Sequence, residues 1–101
     1  MAKFLVIYRA DASAAEQMGN ATPEEQQAGM QAWMEWFGKA GSAVTDFGSP
    51  VTAAGSADAS VGGYSILEAD DEAAVDGLLA DHPHRQVGTI DVHPFLAMPG
   101  M

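Results

Sequence analysis

The 101-residue chain contains no cysteine, which excludes disulfides, thiolate nucleophiles and cysteine-based zinc sites. It is nearly as poor in cations. Lys3, Arg9, Lys39 and Arg85 stand against fourteen acids, for a net charge of −10. A nucleic-acid binder must neutralise phosphates, and four dispersed cations build no such footprint. Anionic membrane surfaces are disfavoured for the same reason. The chain also lacks a long apolar run: Phe4 to Tyr8 is bounded by Lys3 and Arg9, too short to span a bilayer and without a signal-peptide cleavage pattern. A cytoplasmic protein is therefore expected. There is no Gly-rich phosphate loop and no nucleophile elbow around a serine. Asp81, His82, His84, Asp91 and His93 are metal-ligand types, but no spacing such as His-Glu-x-x-His joins them, so neither a metal nor a cofactor is expected.

What the chain does have is a globular balance, with 48% hydrophobic and 18% charged residues. Its length suits one domain, 1–101. Phe4-Leu5-Val6-Ile7-Tyr8 reads as a central strand apolar on both faces. Residues 10–21 show no clear period and read as a loop long enough to act as a flap. Thr22-Pro23-Glu24-Glu25 then opens a helix with a capping Thr, a Pro at the first helical position and a Glu three residues after the cap. Met30, Trp33, Met34, Phe37 and Ala40 follow on one stripe, and Gly41 is a natural stop. Trp36 lies at the flank of that stripe and is expected to face something other than the core.

The stretch from Val44 to Thr52 contains Gly48 and Pro50 and reads as an edge strand or irregular arm. Gly55 to Ser60 is a turn, Gly63 to Glu68 a second central strand. Asp70-Asp71-Glu72 caps a second helix with Ala74, Val75, Leu78 and Leu79 on its buried face, ended by Pro83. The last strand, Gly88 to Phe95, alternates: Ile90 and Val92 face one way, Thr89, Asp91 and His93 the other. The tail from Leu96 to Met101 is short. The order is β-α-β-β-α-β, an α+β domain with a four-stranded sheet and two helices on one face. Since Leu5 and Ile7 make the other face apolar too, a homodimer is expected to cover it.

Several of these segments resemble the YCII-related family, which includes the DGPF-type proteins. They are Lys3-Phe4-Leu5-Val6-Ile7-Tyr8, the helix end from Trp33 to Gly41, Phe47-Gly48-Ser49-Pro50, Gly62-Gly63-Tyr64, His82-Pro83 and Ile90-Asp91-Val92-His93-Pro94, in order along nearly the whole chain. The resemblance implies a ferredoxin-like fold with an antiparallel sheet, assembled as a dimeric α+β barrel with a cleft that takes a small organic molecule. Two family features are missing. No histidine precedes His82, so the family's first-helix histidine is absent, and Asp46, which stands where its aspartate partner is implied, has nothing to pair with. The Asp-Gly-Pro-Phe run is absent as well.

The polar candidates gather near the C-terminus. His82 continues the buried stripe of the second helix, where the helix dipole favours its cation; its ordinary role there is to cap the last carbonyls. Asp91 and His93 share a face about 6–7 Å apart and suit proton transfer, or simply a solvated edge. Tyr64 and Arg9 offer a hydrogen-bond donor and an anion anchor. Catalytic candidates are thus His82, Asp91, His93 and Tyr64, and substrate-binding candidates Arg9, Trp36 and Asp46. Three functions fit: acid–base chemistry on a small organic molecule, a non-catalytic binding module of the same fold, and a cofactor-independent monooxygenase with its substrate beside Trp36 and Tyr64. Whether the protein is an enzyme is left open.

Overall fold

A computed structural model describes residues 2–10 and 21–96. The flap expected over 10–21 and the tail from 96 lie outside the described residues, apart from their end positions. The chain runs β1 (Ala2–Arg9), α1 (Pro23–Ala40), a 3-10 turn (Gly41–Ala43), β2 (Val44–Pro50), β3 (Val61–Ala69), α2 (Glu72–Leu79), a second 3-10 turn (Pro83–Gln86) and β4 (Thr89–Pro94). The sheet order is β2-β3-β1-β4, with every neighbouring pair antiparallel. This is the ferredoxin-like α+β sandwich. β1 and β3, the two segments apolar on both faces, are the central strands. β2, with Gly48 and Pro50, and β4, which ends in Pro94, take the edges, where a missing N–H costs no ladder bond.

Local chemistry fixes the element ends. Thr22 Oγ1 accepts from the Glu25 amide at 3.1 Å, with Pro23 in the first turn, and Gly41 closes α1 at φ +59°. Asp71 Oδ1 accepts from the Ala74 amide at 2.8 Å to start α2. Gly48 sits at φ +79°, and a Cβ there would lie 1.6 Å from the Tyr64 carbonyl oxygen. Glycine is obligatory at that position, and the register of β2 on β3 breaks on either side of Asp46.

The core lies between the helices and one face of the sheet: Phe4, Val6, Tyr8, Leu67 and Ala69 from the strands meet Trp36, Val75 and Leu79 from the helices. Two expectations for α1 are corrected. Trp36 is the buried residue of the helix, 4% exposed, whereas Met30 and Met34 are 71% and 65% exposed. Trp33, Phe37 and Ala40 pack against the core as expected. At 100° per residue the true inward stripe is turned by about 50° from the one read by apolarity alone. Methionine scored as core although nothing in the described chain covers it. Indole Nε1 of Trp36 donates to the Leu78 carbonyl at 2.9 Å, which ties α1 to α2 and settles which way α1 faces.

Candidate functional site

Beneath the helices, the turn after α2 delivers two imidazoles into the core. Pro83 forces a tight 3-10 turn, and His82 and His84 on either side of it are 2% and 7% exposed. His82 stacks among aromatic rings: Trp36 at 4.4 Å, Trp33 at 4.5 Å and Tyr8 at 5.0 Å between centroids. Its Nδ1 accepts from the His84 amide at 3.0 Å. With that lone pair engaged, the neutral ring carries its proton on Nε2. Nε2 is buried and has no hydrogen-bond partner among the described residues; around it lie π faces, which are weak acceptors. Burial, followed by the nearby His84 and Arg85, pulls the His82 pKa down to about 4. The helix-dipole expectation of a cation is therefore overturned, because desolvation outweighs the dipole. The capping expectation holds only for the backbone: the His82 amide donates to the Leu79 carbonyl at 3.1 Å, which also accepts from Arg85 Nε at 2.7 Å, while the His82 ring caps the turn that follows it.

Two further buried groups border this cluster. Tyr8 donates to Ser65 Oγ at 3.0 Å, and Ser65 donates to the Phe47 carbonyl at 2.9 Å. Burial pushes the Tyr8 hydroxyl up to about 12, so it stays protonated. His84 Nε2 donates to the Arg9 carbonyl at 2.8 Å. Gly88 permits that approach, since a Cβ there would stand 1.9 Å from the same carbonyl oxygen and 2.8 Å from His84 Nε2.

The opposite face of the sheet carries a different set. The ladder pairs Ser49 with Tyr64, Tyr64 with Ile7 and Ile7 with Asp91 in one row across the sheet; Asp46, Ile66, Leu5 and His93 form the next. Arg9 Nε bonds Asp91 Oδ2 at 2.5 Å, and Arg9 Nη1 bonds Asp58 Oδ2 at 2.5 Å and Ser60 Oγ at 2.8 Å. Asp58 is held down to about 2, first by its hydrogen bonds from Ser60 and then by Arg9. Arg9 is thus already neutralised by two carboxylates, so an anion anchor is the role its surroundings suit least.

The structure brings two pairs of predicted residues into contact, Arg9 with Asp91 and Trp36 with His82, and keeps Tyr64, His93 and Asp46 apart from them. Tyr64 and Asp91 share a row but stand two strand spacings apart, about 10 Å. His93 is exposed at the outer edge. His82 lies on the helix side of the sheet and His93 on the other, so the sheet stands between them. Asp46, exposed on the opposite edge strand, accepts from the Gly48 amide at 2.8 Å and shapes the β2 bend. Trp36 is buried against His82. Sequence reasoning passed over Tyr8, Trp33, Ser65 and His84 as site residues; the available signal was His82-Pro83-His84, where a proline turn sets two imidazoles side by side.

Among the described residues, no three His, Cys, Asp or Glu side chains converge as a metal site would require, and no helix is long and apolar enough to cross a membrane. The larger surface groove, about 540 Å³, lies between α1 and β2 and is lined by Met34, Phe37, Gly38, Gly41 and Phe47. It holds no titratable group and carries no chemistry. A smaller one, about 320 Å³, lies beside Arg9, Ser60, Gly88 and Thr89.

Neither a protein-family model nor a curated protein matches the chain. Among solved structures, it is similar to 5-chloro-2-hydroxyhydroquinone dehydrochlorinase (TftG) from Burkholderia phenoliruptrix AC1100, determined in complex with 2,5-dihydroxybenzoquinone. The two share 16% identity at a TM-score of 0.59, over 95% of each chain. At that identity the likeness establishes a shared fold: a ferredoxin-like architecture that, in the neighbour, belongs to an enzyme holding a small cyclic ligand.

Proposed function

We propose that the protein binds a small, planar, oxygen-bearing organic molecule between α1 and the sheet, at His82. The observation that carries this reading is the buried Nε2–H of His82, which has no partner among the described residues. An unmet buried donor costs about 1–3 kcal/mol, and a carbonyl or phenolic oxygen of a ligand would relieve it. The surrounding Tyr8, Trp33 and Trp36 offer flat apolar surfaces to a ring. Trp33, only half-buried, is the side chain that must swing aside to admit it. The neighbour's 2,5-dihydroxybenzoquinone has this combination of flat ring and acceptor oxygens. In this role His82 is a hydrogen-bond donor, since a ring with a pKa near 4 is a poor base at neutral pH. The reading favours binding, with any catalysis limited to polarising a ligand oxygen.

The chain's two tryptophans, Trp33 and Trp36, both touch His82, so intrinsic fluorescence reports directly on the site. Titration with 2,5-dihydroxybenzoquinone is expected to quench it saturably. His82→Phe should weaken that binding and His93→Ala should leave it unchanged. Quenching that never saturates, or that survives unaltered in His82→Phe, would count against the proposal.

A second reading places the ligand on the open face of the sheet. Leu5, Ile7, Tyr64 and Ile66 are half-buried there although no helix among the described residues covers them, and a second copy of the chain in a dimeric barrel of the YCII type would shelter them. Asp91, His93 and Tyr64 would then line the cleft, with acid–base chemistry open to them. Loss of ligand binding in Asp91→Asn or His93→Ala, with His82→Phe intact, selects this reading over the first. The monooxygenase alternative placed its substrate beside both Trp36 and Tyr64; Trp36 lies in the core on the helix side of the sheet and Tyr64 on the open face, which does not support one substrate touching both.

A further inference from the structure

One surface of α1 has no part in the fold described above. At 100° per residue, Met30, Met34, Gly38 and Gly41 fall on a single stripe beside the core-facing one. Met30 and Met34 are 71% and 65% exposed, and Phe47 on β2, also 64% exposed, stands edge-on to Phe37 at 4.8 Å. Met34, Phe37, Gly38, Gly41 and Phe47 line the apolar groove of about 540 Å³. A glycine inside a helix weakens it relative to alanine, and Gly38 is not required by packing within the chain: a Cβ there would meet nothing within 4 Å. The stripe therefore presents methionines on one half and a glycine gap on the other.

We propose that this stripe is a contact between two copies of the chain, with α1 packed antiparallel on its twin about a two-fold axis level with residue 36. Met34 of each copy then sits over Gly38 of the other, each two residues from the axis, and Met30, six residues from it, lies over the Gly41-Ser42 end of the helix. A second copy is the occupant because the surface is complementary to itself. Its protruding side chains and its gap lie at matching distances from the midpoint, as an isologous contact requires. The antiparallel arrangement also sets the two helix dipoles head to tail. Met30, Met34 and Phe47 together expose about 400 Å² of largely apolar surface, enough for the apolar centre of an interface that buries about 800 Å² per partner. The contact lies on the helix side of the sheet, so it is independent of any pairing through the open sheet face. Where both form, the assembly has four chains.

The absence of cysteine makes the test clean. Met34→Cys, treated with a short bismaleimide, is expected to give a covalent dimer far faster than Val87→Cys, a control at a side chain 61% exposed on another surface. Met34→Glu and Gly38→Leu, both at positions that leave the fold undisturbed, are expected to halve the solution mass by light scattering and to weaken association about tenfold or more. Circular dichroism should match the wild type in both. Cross-linking at 34 no faster than at 87, or a wild-type mass retained in both variants, overturns the proposal. Pairing through the sheet face is read separately, from the mass of Ile66→Glu, so the failure of one contact is not mistaken for failure of the other.

Discussion

The two faces of the sheet are built from alternate residues of the same four strands, yet they place opposite demands on their polar groups. Under the helices, Tyr8, Ser65, His82 and His84 are buried, and Tyr8, Ser65 and His84 are locked by bonds to one another or to backbone carbonyls. Among the described residues, His82 keeps an unmet buried donor. On the open face Arg9, partly exposed, is paired with the carboxylates of Asp58 and Asp91. Burial sets the chemistry of the first group, and partner charges that of the second. A buried neutral donor surrounded by rings suits recognition of a ligand oxygen; a screened ion cluster suits holding the loop from Ala57 to Ser60 against β1 and β4.

The largest contrast should come from two neighbours on β3. Leu67 is fully buried under the helices, and Leu67→Ala should cost about 2–5 kcal/mol in denaturant unfolding. Ile66, pointing the other way, should cost clearly less on truncation to Ala, and its cost should grow with protein concentration if a second copy covers that face. Equal losses at all concentrations would erase the distinction between the faces.

Acid separates the faces next. The unfolded chain protonates His82 near its ordinary value of 6.5, the folded chain only near 4. Between those values the unfolded state binds more protons, so stability is full above 6.5, falls as pH drops towards 4, and is not lowered further by this group. The loss amounts to about 3 kcal/mol, and His82→Phe should flatten the curve over that window. The open-face ion cluster acts lower down. Asp58, ordinarily near 3.8 and held to about 2, contributes stability above 3.8 that is lost as pH falls towards 2. Unfolding midpoints measured from pH 7 to 2 should show both steps, the first vanishing in His82→Phe.

Smaller effects sharpen the picture. Tyr8→Phe removes one neutral hydrogen bond and should cost about 1 kcal/mol, with the loss visible at neutral pH. Asp58→Asn, at an exposed pair, should lower the neutral-pH midpoint only slightly and flatten the acid limb between 3.8 and 2, where the wild type loses the same contribution.

Much of the architecture could be read directly from the chain. The Thr22-Pro23-Glu24-Glu25 start, the Gly41 stop and the Asp71 cap are local chemistry and appear where expected. The alternation of β4 separated Ile90 and Val92 from Asp91 and His93 correctly. The facing of α1 was misread, because five apolar residues at helical spacing do not reveal which of them the chain covers; the Trp36 bond to Leu78 does, and it is a tertiary fact. The same holds for His82. Its place at the end of a helix suggested a cation, but its state is decided by Tyr8, Trp33 and Trp36, the nearest of which lies 46 residues away in the sequence. Asp91 and Arg9 were both singled out, yet their contact depends on the β1–β4 register, which no local pattern fixes.

Nitrogen NMR of the His82 ring addresses the account most directly. It predicts a neutral imidazole at pH 7 with the proton on Nε2 and Nδ1 held as an acceptor, and an Nε2–H resonance that moves as 2,5-dihydroxybenzoquinone is added while Nδ1 stays put. A ring that titrates near 6.5, or an Nε2–H signal unmoved at saturating ligand, would contradict it.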